Sequence, residues 1–126
     1  MNLIAFLKPG DVLTAPKALG FVQHMGLVVG TNQVLQNTPE RGEHLSTVEG
    51  FAQQRPVKVV RTGADPRLVQ ARTSQALRQR SKYDLLSNNC EHTVTKVLNG
   101  VAHSPQVIFW CSLAALGALL VVVLRR

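Results

Sequence analysis

Cys90 lies in the run Asn88-Asn89-Cys90-Glu91-His92, and its context favours covalent chemistry. Asn88 or Asn89 is a good helix cap. Cys90, Val94, Val97 and Leu98 then follow the spacing of one helical face, and Asn99-Gly100 ends the pattern. This predicts a helix with Cys90 in its first turn, on the inward face. Unpaired N–H groups and the positive end of the helix dipole favour a thiolate at that position. The same N–H groups suit an oxyanion forming on an attacked acyl carbon. On position alone, a buried thiol packing beside Val94 as a small hydrophobe is the more ordinary reading.

A thiol nucleophile needs a base, and His24 is the candidate. Phe21 to Val29 is β-prone and ends at Gly30. Within it His24, Gly26 and Val28 share one face, and Met25, Leu27 and Val29 the other. His92 falls about 200° round the helix from Cys90. It points away from the nucleophile and reads as structural, as does Glu91, a favourable charge in the first turn. His24, Cys90 and His92 do not form a common zinc clip, and no metal or cofactor is expected.

Other elements must bring these residues together. Lys8-Pro9-Gly10-Asp11 reads as a turn, and Val12 to Ala15 as a short strand closed by Pro16. Thr31-Asn32 is a tight turn leading to a partner strand from Gln33 to Gln36. Asn37 to Glu43, with Pro39 and Gly42, reads as loop. Ser46-Thr47-Val48-Glu49 fits a capping box, so a short helix is expected over Thr47 to Gln53. A strand follows from Val57 to Arg61. Asp65-Pro66 starts a helix running to about Arg80, with Leu68, Val69, Ala76 and Leu77 on one side. The expected fold class is α+β, a small antiparallel sheet with helices packed on it.

Val107 to Leu124 contains no charged residue, follows Pro105 and precedes Arg125-Arg126. Eighteen helical residues cover ~27 Å, close to the hydrocarbon thickness of a bilayer. Trp110 and the two arginines suit interfacial positions. The segment reads as a single membrane span, with residues 1–104 as the folded domain and 105–126 as its C-terminal anchor. Arg125 and Arg126 would themselves prefer the cytoplasmic side, but the domain before the span is also basic, and the domain is expected in the cytoplasm. Met1 to Leu7 has neither the basic start nor the cleavage site of a secretory signal. Cys90 and Cys111 are the only cysteines, and Cys111 falls in the apolar run, so no disulfide is expected.

The formal net charge of +7 favours anionic partners. Aromatic residues are too scarce for the stacking platforms of a nucleic-acid binder. The basic cluster Arg67, Arg72, Arg78, Arg80 and Lys82 reads as a solvated helix face or as a surface turned to anionic lipid.

Tyr83-Asp84-Leu85-Leu86 followed by Asn88-Asn89-Cys90-Glu91-His92 resembles the signature of the lecithin:retinol acyltransferase-like family, a circularly permuted branch of the NlpC/P60 papain-like superfamily. Lys8-Pro9-Gly10-Asp11-Val12 is similar to the family's opening, His24 to Gly30 to its histidine strand, and Ser46 to Arg61 to its short helix and next strand. The similarity covers roughly residues 7–100. It implies a permuted NlpC/P60-like fold. It also implies that Cys90 attacks an ester or amide carbonyl and holds the acyl group as a thioester, with His24 as base. Several members carry a C-terminal membrane anchor.

The family's third polar group is a histidine twelve positions beyond the first, and here that position is Gln36. Its amide oxygen can accept the Nδ1–H of His24 but carries no charge. His44 is the other candidate for this role. The resemblance therefore implies a membrane-tethered thiol acyltransferase or phospholipase A acting on glycerophospholipid esters. A thiol peptidase or amidase is the second reading, and an inactive binding module, motivated by Gln36, the third.

Overall fold

The structure, a computed structural model, describes residues 2–79 and 81–126. It is α+β. Five antiparallel strands form one sheet in the order β4-β3-β2-β1-β5: β1 (Val12–Lys17), β2 (Val22–Gly30), β3 (Gln33–Thr38), β4 (Gly42–Ser46) and β5 (Lys58–Val60). The helices are α1 (Val48–Ala52), α2 (Pro66–Gln79), α3 (Cys90–Asn99) and α4 (Pro105–Leu124).

Alternation along the strands divides the core into two layers. Val12, Leu27, Val29 and Leu35 pack with Val69 of α2 and with Val94 and Val97 of α3. Leu13, Ala15, Val28 and Val34 pack on the other face with Val48 and Phe51 of α1. The predicted face of His24, Gly26 and Val28 is the α1 face. Gly26 is needed there because a Cβ would lie 2.6 Å from Val34 Cγ1 and 2.8 Å from the Phe51 ring.

Several predicted boundaries change. Residues 37–43 are not a loop: Asn37 and Thr38 extend β3, and Gly42-Glu43 begin β4, which returns beside it with Gln36 opposite His44. The capping box does not form as read. Ser46 ends β4, and Thr47 caps α1 by accepting the N–H of Gly50 at 3.0 Å. The strand expected over Val57–Arg61 is ordered as a strand only from Lys58 to Val60. In α2 the inward residues are Val69, Thr73 and Ala76, while Leu68 is exposed. Arg80, the expected end of that helix, lies outside the described residues, as does Met1.

Pro16 does not close β1, which continues to Lys17. Both backbone groups of its register partner Gln23 turn away from β1, to the Gln106 side chain. Pro16 is therefore in a pair that exchanges no hydrogen bonds, and β5 covers β1 only as far as Thr14. The missing N–H costs no ladder bond.

α4 has 20 residues, so it is ~30 Å long. It is long and apolar enough to cross a membrane, and its sequence window is wholly unburied. Its first turn is bonded into the sheet domain. Ser104 is its cap and donates to Glu91 Oε2 at 2.5 Å, and the Gln106 side chain bridges Glu91 Oε2 and the backbone of Gln23. Glu91 is buried and also accepts the Gln106 N–H at 3.2 Å. Replacing Glu91 by Ala would leave these donors without an acceptor. The expected cost is about 2–3 kcal/mol in unfolding free energy, read by denaturation of the full chain in detergent. Unchanged stability would show that the carboxylate does not hold α4 in place.

Candidate active site

Cys90 is the first residue of α3, and the cap is Asn89, whose Oδ1 accepts the N–H groups of Glu91 (2.9 Å) and His92 (3.1 Å). His92 Nδ1 accepts the Asn89 N–H in return at 3.3 Å, which completes a capping box. His92 thus serves the helix start. The cap also takes two of the N–H groups that the sequence left open for an oxyanion. The N–H of Cys90 itself remains without a partner among the described residues.

The sheet opens to admit this helix start. The ladder between β2 and β3 runs only as far as the Leu27–Leu35 pair. Beyond it each strand turns one polar group to α3. The Met25 N–H of β2 reaches Cys90 Sγ at 3.5 Å. The Asn37 side-chain amide of β3 donates to Asn88 O (2.9 Å) and Thr93 Oγ1 (3.1 Å). Nothing in the sequence reading assigned Asn37 this work. Its signal would have been a buried amide in a strand, which is hidden once residues 37–43 are read as loop.

His24 is one residue along β2 from the N–H that holds the thiol. It is buried, and its ring stacks on Phe51 with centroids 4.9 Å apart and planes 18° apart. Gln36 Oε1 lies 2.9 Å from His24 Nε2. The expected contact through Nδ1 is therefore corrected. Nε2 faces the amide, and Nδ1 is buried without a partner. Behind Gln36 stands His44, with Gln36 Nε2 3.1 Å from His44 Nε2, and His44 Nδ1 lies 2.7 Å from Gly42 O. Gln36 and His44 were alternatives in the sequence. In the fold they are consecutive members of one chain, because β3 and β4 place them opposite each other.

Burial is the main influence on both reactive groups. It lowers the pKa of His24 below the ordinary 6.5, against the opposing Gln36 bond and with help from Lys17 and Arg55. It raises the Cys90 thiol above its ordinary 9.0, against the Met25 N–H and Lys17. Both shifts favour the uncharged forms, a thiol and a neutral imidazole, at neutral pH.

Cys90 lines a cavity of about 450 Å³. Its walls are Val22, Leu85 and Leu86 of the domain with Val107, Trp110 and Cys111 of α4, and Lys17, Gln23, Tyr83 and Gln106 supply its polar groups. Leu85 and Leu86 are exposed, as is the neighbouring Phe21. The cavity thus exists only because the first turns of α4 are clamped against the domain. No protein-family model matches the chain, and no curated protein matches it.

Proposed function

We propose that this chain is a membrane-tethered thiol acyltransferase or phospholipase A of the permuted NlpC/P60-like, lecithin:retinol acyltransferase-like kind, acting on glycerophospholipid acyl esters. The observation that carries this reading is the cavity. It joins a thiol at a helix N-terminus to apolar walls, half of them contributed by a helix apolar enough to cross a membrane. An acyl chain entering from the bilayer would meet hydrocarbon along its length and sulfur at its carbonyl end. Lys17 at the wall suits the phosphate of the headgroup. Exposed Phe21, Leu85 and Leu86 suit an interface lying against lipid.

The proposed chemistry has two halves. Nδ1 of His24 takes the Cys90 proton while Sγ attacks the ester carbonyl carbon. The oxyanion is met by the Cys90 N–H. Collapse breaks the ester C–O bond, and the imidazolium returns its proton to the leaving lysolipid oxygen. Cys90 then holds the acyl group as a thioester. In the second half His24 takes a proton from water, or from an acceptor amine or alcohol, which attacks the thioester and releases the thiol. Gln36 holds the imidazole in place throughout.

In this reading α4 is a single-pass C-terminal anchor and the domain lies on the cytoplasmic side, with Arg125-Arg126 beyond the far end of the span. The cavity walls favour a lipid ester over the peptide substrate of a thiol peptidase. The raised thiol favours the remaining alternative, a lipid-binding module without turnover. Full-length protein in phosphatidylcholine vesicles carrying a labelled acyl chain distinguishes them. Lysolipid release together with a protein-bound acyl group removable by hydroxylamine is the expected result. Lipid binding with neither product would sink the enzymatic reading.

A further inference from the structure

A neutral imidazole has one N–H and one bare nitrogen, and only the bare nitrogen can act as a base. His24 alone does not decide which nitrogen that is. Nor does Gln36, whose amide oxygen and nitrogen exchange places by a half-turn.

The decision comes from a group that has no choice. The Gly42 carbonyl oxygen, 2.7 Å from His44 Nδ1, can only accept, so Nδ1 of His44 carries the hydrogen. In the neutral ring, Nε2 of His44 is then bare and accepts, which turns the NH₂ of Gln36 toward it across 3.1 Å. The amide oxygen is thereby presented to His24 at 2.9 Å. It too can only accept, so the hydrogen of His24 sits on Nε2 and Nδ1 is left bare. All three side chains are buried, which limits replacement of a link by water. Nδ1 of His24 is the one buried ring nitrogen without a partner among the described residues.

We propose that His44 is the positioning residue that selects the tautomer of His24, passing the polarity of the Gly42 carbonyl through Gln36. Its bearing on catalysis rests on the acyl-transfer reading above; the tautomers themselves do not. An uncharged glutamine, which orients an imidazole weakly by itself, becomes a directional link once its NH₂ is committed to His44. The strand pairing that puts Gln36 opposite His44 is what builds the link.

The test is long-range ¹H–¹⁵N correlation on the full chain, labelled in histidine and held in neutral detergent micelles at about pH 8. The expected pattern is opposite in the two rings: bare Nδ1 in His24 and bare Nε2 in His44. His44→Phe removes the acceptor for the Gln36 amide, so His24 should become a mixture of tautomers. In the vesicle assay its kcat should fall on the order of tenfold, with KM changed by less than about threefold. His44→Gln can give an N–H to the Gly42 carbonyl and an oxygen to Gln36, and should restore one tautomer and most of kcat. A His44 hydrogen on Nε2 in the parent, or a single Nε2–H tautomer of His24 surviving in His44→Phe, would overturn the proposal. The parent measurement decides the first of these even where a variant fails to fold. The expected tautomers in a parent that turns over no lipid would uphold the selection and overturn the acyl-transfer reading alone.

Discussion

Replacing Cys90 by Ala should lower the kcat for lysolipid release by about 10⁴-fold or more, a loss of the size seen when a nucleophile is removed from a catalytic group acting as a unit. The sulfur contributes something no neighbour can. It is the first residue of α3, and in the proposed mechanism His24, held by Gln36, and the Cys90 N–H all serve the bond it would form. Stability should change little, because the Met25 N–H reaches the thiol only at 3.5 Å, and alanine keeps most of the small apolar volume of the side chain. Cys90→Ser should be nearly as inactive, since a neutral imidazole deprotonates an alcohol much less readily than a thiol. The loss should be in kcat, with KM nearly unchanged, because the cavity walls that hold the acyl chain remain. Lysolipid release within about threefold of the parent would remove Cys90 from the mechanism, and with it the thioester.

Phe51→Ala should cost about 3–5 kcal/mol of stability, the range for emptying a buried aromatic site. Phe51 is 0% exposed and is the largest of the fully buried side chains. It lies over Gly26, where β2 has no side chain, against Val34, and face to face with the His24 ring. Gly26 and His24 are held by pairing with β1, and Val34 by pairing with β2 and β4, so the space has little means of collapsing. Such a loss is a large share of the ~5–15 kcal/mol that keeps a domain folded. It should also free the His24 ring, so any folded fraction should show a lower kcat. Unfolding by denaturant in detergent measures the first effect. A loss below about 1 kcal/mol would mean that the α1 layer repacks, and that Phe51 does not hold the histidine.

The local pieces of the candidate site were legible because each depends on short-range rules. The cap at Asn89, the first-turn position of Cys90, the Gly100 stop with φ +78° and the shared face of His24, Gly26 and Val28 all follow from spacing and backbone preference. So did the long apolar helix, which needs only composition. What was misread depended on pairing. Pro39 and Gly42 made residues 37–43 look like a loop, whereas they bracket the tight turn of a hairpin. Losing β4 in this way separated Gln36 from His44, and made two linked residues look like rivals for one place.

Sequence alone determined which residues are candidates for chemistry, the helix that begins at the thiol, and the apolar segment that follows. These are properties of neighbours in the chain. The tertiary structure alone decided that the sheet splits beyond Leu27 and Leu35 to receive the thiol, that His24 presents Nε2 to Gln36, and that Glu91 and Gln106 clamp α4 beside Cys90. Those are contacts between segments far apart in sequence. Their geometry follows from which buried polar groups can satisfy one another, and no local periodicity records it.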